Sequence, residues 1–334
     1  MNTNHRILLK SHPTDLPVPD NFDYVDGPMP QPREGEILVQ NHWLSLDPYM
    51  RLLMSSGQGY GAPVELGAVM RGNTVGRVLE SRDPSFRPGE YVMGEGNWQE
   101  YCLMPTQSVR KLDPDTVPLS TALGVLGWPG HTAWVGMAHL AEPKAGETVV
   151  VSAAAGAVGS LAGQIAKLKG CRVVGIAGGP EKGRYVVDEL GFDACVDYRD
   201  PNFTKALAAA CPNGVDINFE NVGGDVLKTT WPLLNDFARV LICGVIAEYH
   251  GPAPSGPELY TLMLKRIKMQ GFFFADYLSR TQEFLDEVTP LVREGRIKWR
   301  ENIVEGLENA PLAFAGMFRG GNLGKLIVRV ARQN

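Results

Sequence analysis

The pattern of hydrophobic and polar positions changes once along the chain, near residue 127. Before that point, short runs of alternating apolar and polar residues are interrupted by Pro and Gly, as in EGEILVQNHWLSL, GAVMRGNTVGRVLES, PGEYVMGEG and WQEYCLM. Short strands with frequent turn signals are typical of all-β domains. The first part of the chain is therefore predicted to form a compact, barrel-like β domain.

Beyond residue 127, apolar strand patterns alternate with helical ones. ETVVVSA precedes AVGSLAGQIAKLKG, CRVVGIAG precedes PEKGRYVVDELG, ACVDY precedes DPNFTKALAAAC, and GVDINFENV precedes GDVLKTTWPLLN, with ARVLICGV after it. This alternation predicts right-handed crossovers and a doubly wound parallel sheet. RIKMQGFFFADY is expected to add a sixth strand at the edge of that sheet, followed by a helix over SRTQEFLDEVTPLVREG.

The end of the chain returns to the first pattern. IKWRENIVEG and GKLIVRV predict strands on either side of a short helix in ENAPLAFAGMFRGG. A length of 334 residues also exceeds what one hydrophobic core usually supports. We therefore predict two domains, with an α/β domain (127–295) inserted between two pieces of the β domain (1–126 and 296–334).

Composition narrows the classes of function. A formal net charge of −5 provides no basic surface for a nucleic acid, so we expect no such partner. No stretch approaches the roughly 18 apolar residues of a membrane span, and the apolar run Ile7, Leu8 and Leu9 is too short for a signal-peptide core. We therefore expect a cytoplasmic protein that does not associate with membranes.

The cysteines point to a reducing environment. Five are scattered singly, with no C-x-x-C pair. We expect reduced, mostly buried thiols and neither disulfides nor a structural metal. The five are Cys102, Cys171, Cys195, Cys211 and Cys243.

The segment SAAAGAVGSLAG (152–163) lies where dinucleotide-binding proteins carry G-x-G-x-x-G, with Ala154, Gly156 and Gly159 at the three glycine positions. The N-terminus of the following helix would hold a pyrophosphate. Alanine at the first position requires only that its φ stay negative. A small-residue helix packed closely on a strand is the alternative, but the flanking strand and helix favour a nucleotide turn.

The end of the second strand of this domain indicates which nucleotide is bound. An acid there would bind the ribose 2′-hydroxyl of NAD(H), but the chain has Gly178 and Gly179, followed by Lys182 and Arg184. This favours NADP(H). Glu181 is expected in the first turn of the next helix, where the helix dipole stabilises an acid. The alternative is that Lys182 and Arg184 belong to a solvated helix face.

Motifs along essentially the whole chain resemble one family. They are LSLDPYMR (44–51), GWPGHTAWVGM (127–137), SAAAGAVGSLAGQIAKLKGCRVVGIAG (152–178), DYRD (197–200), FENVGG (219–224), ICGVIAEY (242–249) and GNLGKLIV (321–328). Together they resemble the zinc-independent double-bond reductases of the medium-chain dehydrogenase/reductase superfamily. RGNTVG (71–76) stands where zinc-dependent members carry a metal-binding His, so no metal is expected. The resemblance implies a GroES-like domain with an inserted Rossmann domain.

The resemblance also implies residue roles. Lys182 and Tyr198 would hold the 2′-phosphate of NADPH, Tyr249 would bind the substrate carbonyl, and Tyr49, His250 and Tyr260 would line the substrate pocket. The expected cofactor-binding residues are Thr132, Ala154, Gly156, Ala157, Val158, Gly159, Gly178, Lys182, Tyr198, Asn221, Cys243 and Asn322.

The implied reaction is hydride transfer from NADPH to the β-carbon of an α,β-unsaturated ketone or aldehyde. Charge then develops on the carbonyl oxygen, which a phenol O–H of Tyr249 can stabilise. The alternatives are that Tyr249 is a loop residue making only apolar contacts and that Tyr49 only packs. His131 and His250 are either near the site or hydrogen-bonded structural histidines.

Two other functions remain open. One is a quinone reductase on the same scaffold, and the other is a non-catalytic NADPH-binding redox sensor.

The resemblance further implies a homodimer formed through the edge strand near 267–275, where an unpaired strand invites association. The alternative is an edge that is covered within the monomer.

Overall fold

The computed structural model describes residues 3–55, 61–249 and 256–330. The chain divides into two compact units. The β unit comprises Met1–Gly124 and Glu301–Asn334, and the α/β unit comprises Val125–Arg300. The predicted two-domain α/β fold class is confirmed. The exact domain limits read from the sequence stay a prediction.

The first stretch of the β unit consists mainly of short strands, as the alternating pattern predicts. Its elements are β1 (Asn4–Leu9), β2 (Phe22–Gly27), β3 (Glu36–Ser45), α1 (Met50–Leu53), β4 (Thr74–Ser81), β5 (Tyr91–Gly94), β6 (Tyr101–Pro105) and β7 (Arg110–Leu112). Short 3-10 turns occur at Pro19–Asn21, Thr106–Ser108 and Leu119–Leu123. Strands β1, β2 and β7 were not predicted from the sequence, because they lack a long alternating run.

The α/β unit alternates strands and helices. Its strands are β8 (Thr148–Ser152), β9 (Arg172–Ala177), β10 (Ala194–Asp197), β11 (Val215–Glu220), β12 (Leu234–Ile242) and β13 (Lys268–Gly271). Its helices are α2 (Trp128–Trp134), α3 (Ala157–Leu168), α4 (Pro180–Arg184), α5 (Phe203–Ala210), α6 (Gly224–Thr230), α7 (Leu259–Leu264) and α8 (Thr281–Arg293). Helices α2 and α4 each continue into a π-helical turn, Val135–Ala141 and Tyr185–Glu189.

The tail adds β14 (Glu301–Glu305), α9 (Ala310–Met317) and β15 (Lys325–Arg329) to the β unit. Strand β15 pairs with β14 on one side and with β3 on the other, in a seven-stranded sheet. Lys325, the first residue of β15, donates to the carbonyl of Leu46 at 2.9 Å and forms an ion pair with Asp47 at 2.7 Å. The tail is thereby joined to the turn that carries Tyr49.

The sheet of the α/β unit has the order β10-β9-β8-β11-β12-β13, and all its pairs are parallel. Helices cover both faces of such sheets, which explains why every residue of β8 is buried. The chain runs outwards from β8 in one direction and from β11 in the other. The carboxyl ends of β8 and β11 are therefore the topological switch point, where ligands bind in this class of fold.

The sixth strand is at the sheet edge, as predicted, but it is shorter than the apolar run. Only Lys268–Gly271 pair with β12, and Phe274–Arg280 form a 3-10 turn before α8. Apolar composition therefore overestimated the length of the strand, because three aromatic residues follow the paired segment.

None of the helices in the described residues has the length and apolar character that a bilayer span requires.

His131 lies inside the α/β unit among aromatic rings. It is 2% exposed, and its ring stacks on Phe284 with centroids 5.1 Å apart. Its Nε2 atom has no hydrogen-bond partner among the described residues. Burial, together with the nearby charges of His139 and Arg280, lowers the pKa of His131 to about 4.

We expect His131 to make the protein less stable in acid. Its pKa is near 6.5 when unfolded and about 4 when folded, so the unfolded state binds more protons between these values. The free energy of unfolding should therefore fall by up to about 3 kcal/mol as the pH drops through this window. His131→Leu should remove most of that decrease, measured by urea unfolding at about pH 7 and about pH 4.5.

Phe284→Leu is the matched control, because it changes the same stack and keeps the imidazole. It should lower stability at both pH values and retain most of the wild-type pH dependence. An unchanged pH dependence in His131→Leu would contradict the assignment.

Candidate cofactor and active site

The turn after β8 differs from the glycine fingerprint in one residue. Ala153 takes a left-handed φ of 49°, whereas Ala154, at the position of the first glycine, does not. Ala154 is fully buried, and its N–H donates to the carbonyl of Ile176 at 3.0 Å. A Cβ on Gly175 of β9 would lie 2.8 Å from the Ala154 methyl group. The extra methyl is therefore accommodated because the neighbouring strand has glycine opposite it.

The start of α3 forms an anion cradle. Gly156 is its N-cap, with no side-chain cap, so the main-chain N–H groups of Ala157, Val158 and Gly159 are not capped by a side chain. A Cβ on Gly159 would lie 2.5 Å from the carbonyl oxygen of Ala153, so only glycine lets the helix approach the turn this closely. These N–H groups and the helix dipole fit a pyrophosphate.

Two basic groups and a phenol meet beyond the ends of β9 and β10. Tyr198 is 44% exposed, and the Arg199 guanidinium lies 5.5 Å from its ring centroid. A Cβ on Gly178 would be 2.8 Å from both side chains, so the glycine leaves space for them. Burial, followed by the charge of Arg199, lowers the pKa of Lys182. Two neighbouring cations of this kind suit an anion with more than one charge.

Arg199 was not singled out in the sequence analysis, although it directly follows Tyr198 in DYRD. Asp197 of the same motif was also missed. Its carboxylate accepts the N–H groups of Gly179 and Arg199, both at 2.9 Å. The carboxylate near the end of β9 is thus Asp197 of the neighbouring strand β10, and it is hydrogen-bonded to main-chain N–H groups.

The switch point brings together residues from three strand ends. The main-chain N–H of Asn221 donates to Ser152 Oγ, and its side-chain Nδ2 donates to the carbonyl of Ser152, both at 2.7 Å. The N–H of Cys243 donates to the carbonyl of Glu220 at 2.9 Å. Ser152 and Glu220 lie in the motifs SAAAGAVGSLAG and FENVGG, but neither residue was given a role from the sequence.

Tyr249 follows a 3-10 turn, Ile246–Glu248, and is partly buried. Burial, then the nearby Cys243, raises the pKa of Tyr249, and a hydrogen bond from the main chain of Val245 lowers it in part. The phenol is therefore protonated at neutral pH. Its oxygen accepts the N–H of Val245, which leaves the hydroxyl proton available for another acceptor. Burial also raises the pKa of the Cys243 thiol to about 12.

The remaining candidates are more dispersed. Thr132 Oγ1 donates to the carbonyl of Trp128 within α2 at 2.8 Å, and Tyr260 is 61% exposed on α7. Two candidates belong to the β unit. Tyr49 packs against the core of that unit, and Asn322 Nδ2 donates to the carbonyl of Gly324 at 2.9 Å. His250 lies outside the described residues.

In the described part of the chain, no three His, Cys, Asp or Glu side chains are grouped as metal ligands. The α/β unit combines a dinucleotide-type turn, a basic cluster beside it and a protonated phenol. Together these features define a Rossmann-type nucleotide-binding protein.

Family models match most of both units. Residues 5–112 match a model described as the N-terminal domain of oxidoreductase, and residues 157–290 match one described as zinc-binding dehydrogenase. The NADPH-dependent curcumin reductase of Escherichia coli is 46% identical, over 98% of this chain and 97% of that protein. The NADP(+)-dependent 2-alkenal reductase of Nicotiana tabacum is 39% identical, over 99% of this chain and 98% of that protein.

A solved structure has the same fold throughout. CurA from Vibrio vulnificus superposes with a TM-score of 0.93 at 45% identity, covering 99% of this chain and 100% of CurA. A second structure of that protein was solved in complex with NADPH, with a TM-score of 0.93 at 44% identity over 98% of this chain and 100% of that one. The chain belongs to the zinc-independent double-bond reductases of the medium-chain dehydrogenase/reductase family.

Proposed function

We propose that this enzyme uses NADPH to reduce the carbon–carbon double bond of α,β-unsaturated ketones and aldehydes. It is an NADPH-dependent oxidoreductase that acts on conjugated alkenes. The observation that carries the proposal is the pair of anion sites in the α/β unit. One is the uncapped start of α3, and the other is the basic cluster of Lys182, Tyr198 and Arg199.

The basic cluster supports the choice of NADPH over NADH. Lys182 and Arg199 supply two positive charges, and Tyr198 supplies a hydroxyl and a ring face beside them. Two carboxylates lie nearby: Asp197 is hydrogen-bonded to main-chain N–H groups, and the charge of Glu181 offsets part of the lowering of the Lys182 pKa. A ribose 2′-phosphate would therefore meet donors and cations at this position, as NADP(H) requires.

Lys182→Ala and Arg199→Ala should each reduce kcat/KM for NADPH about 10- to 100-fold, because each removes a charged donor to the 2′-phosphate. The value for NADH should stay unchanged. Lys205→Ala, which removes an exposed lysine on α5, should alter neither value and serves as the control. Equal losses with both cofactors would contradict the assignment, as would a wild-type enzyme that uses NADH equally well.

When bound, NADPH supplies the hydride that reaches the β-carbon of the substrate. The task of the protein is then to stabilise the negative charge that develops on the carbonyl oxygen. The Tyr249 hydroxyl suits this role, because its oxygen already accepts the Val245 N–H and its raised pKa keeps the proton in place. A donor aimed at developing charge contributes about 3 to 4 kcal/mol to catalysis.

Tyr249→Phe should lower kcat for enone reduction about 100-fold, with little change in NADPH affinity, because the hydroxyl acts only on the developing charge. Following NADPH absorbance during turnover measures the rate. Tyr185→Phe is the matched control. Its hydroxyl is buried and has no hydrogen-bond partner among the described residues, so its removal should leave the rate unchanged.

The same assay separates the other functions that the sequence left open. Enones, enals and quinones are compared as substrates of the wild-type enzyme. A higher kcat/KM for quinones would favour quinone reduction, and tight NADPH binding without turnover of any activated alkene would favour a redox sensor. An undiminished rate in Tyr249→Phe would remove the role proposed for its hydroxyl.

We also propose that two copies associate through the free edge of the α/β sheet. Within the described residues, no strand pairs with the outer side of β13. Apolar side chains are exposed on this edge and on the preceding helix α7, including Leu259 at 74%, Met263 at 61% and Met269 at 38%. Exposed apolar surface beside an unpaired strand favours association between chains.

Sedimentation equilibrium at micromolar concentration tests the dimer. The wild-type protein should have twice the chain mass of 36.4 kDa, and Met269→Lys should shift it toward the monomer, because a charge would be buried at the interface. Leu312→Lys, at an exposed apolar position (66%) on α9 of the other unit, should remain dimeric. A monomeric wild-type protein would contradict the proposal.

We propose that the enzyme works in a reducing compartment such as the cytoplasm. All five cysteines are free thiols, and three of them are buried. Burial raises the pKa of Cys102 and Cys195 to about 12 and that of Cys211 to about 11. Protonated thiols react slowly, which fits cysteines kept for packing in a reducing environment.

A further inference from the structure

Glu220, the last residue of β11, is a fully buried carboxylic acid. Its Oε1 accepts hydrogen bonds from Ser152 Oγ at 2.6 Å, from the N–H of Val222 at 2.8 Å and from the N–H of Gly223 at 3.0 Å. Its Oε2 accepts one from Asn218 Nδ2 at 3.2 Å. Four donors are thus directed at one carboxyl group, whose two oxygens act as acceptors.

All four donors are uncharged groups. Neutral hydrogen-bond donors therefore hold the Glu220 carboxyl group in the interior. Such an arrangement is costly to break, because a buried acceptor or donor left unpaired loses its hydration without compensation. The positions of the four donors are accordingly fixed relative to the carboxylate.

These hydrogen bonds join three strand ends at the switch point. Through Ser152, Glu220 contacts the last residue of β8, directly before the turn at Ala153. Through its own carbonyl, it accepts the N–H groups of Cys243 and Gly244, which follow β12, at 2.9 and 3.1 Å. Glu220 therefore sets the position of the phosphate turn relative to the loops after β11 and β12.

The two halves of a bound dinucleotide lie on opposite sides of the switch point. The basic cluster of Lys182, Tyr198 and Arg199 follows β9 and β10, so the adenosine half belongs on that side. The loops that Glu220 orders follow β11 and β12, on the other side. We propose that Glu220 is a positioning residue for the nicotinamide half of NADPH, acting through Ser152, the loop at Asn221–Gly223 and the main chain at Cys243.

The inference depends on the proposed use of NADPH, so its test compares two ligands. NADPH occupies both halves of the site, whereas 2′,5′-ADP occupies only the adenosine half. Isothermal titration of the full-length protein gives the Kd of each. Tight binding of NADPH by the wild-type protein is the separate check of the proposed function, and it does not involve Glu220.

Glu220→Gln replaces one acceptor oxygen by a donor and keeps the size of the side chain. We expect it to weaken NADPH binding at least tenfold and 2′,5′-ADP binding less than twofold, because the side-chain oxygen that it changes holds the loop beyond β11 through Val222 and Gly223. Ser152→Ala removes one hydrogen bond to the same carboxylate. It should weaken NADPH binding three- to tenfold, and it carries the test if Glu220→Gln does not fold.

Asp216→Asn is the matched control, because Asp216 joins the same strands near their other ends. Its carboxylate accepts the N–H of Thr148 and the side chain of Asn235, both at 2.8 Å. This variant should change neither Kd, even where it lowers the melting temperature. Equal weakening of both ligands in Glu220→Gln or Ser152→Ala would show a merely structural role, and no weakening of either would also overturn the proposal.

Discussion

The hydrogen bonds at the carboxyl ends of β8, β11 and β12 are the interaction on which the candidate site depends. A doubly wound sheet reverses direction between β8 and β11, so the chain leaves these two ends toward opposite sides. Main-chain groups beyond the strand ends have lost their ladder partners and need others. Ser152, Glu220 and Asn221 provide them, and the same bonds hold the end of β8, directly before the turn at Ala153.

The two anion sites differ in how they are built. The start of α3 relies on main-chain N–H groups, and it requires small residues because the helix approaches the turn closely at Gly159. The cluster beyond β9 and β10 relies on side-chain charge, and the charge of Arg199 contributes to lowering the pKa of Lys182. A dinucleotide with a 2′-phosphate satisfies both requirements. The family relationship and the geometry thus lead to the same cofactor.

Much of the fold could be predicted because the periodicity of the sequence is strong where strands are buried. Val149, Val150 and Val151 in β8 and the small residues of α3 correctly predicted a buried strand followed by a helix, and they indicated a nucleotide turn between the two. Elements with weak periodicity, such as β1, β2 and β7, were missed, and the aromatic run after Gly271 overestimated β13. The local hydrophobic pattern predicts which residues are buried, but it does not predict where the hydrogen bonds between neighbouring strands end.

The class of fold and the lack of an acid at the end of β9 followed from the sequence alone, which also predicted the phosphate turn. The tertiary structure alone showed that Ala153, and not Ala154, takes the left-handed turn and that Gly175 makes room for the Ala154 methyl group. It also placed Arg199 beside Tyr198 and surrounded Glu220 with four donors. The physical reason is that these contacts join residues from different strands, whose proximity depends on strand order.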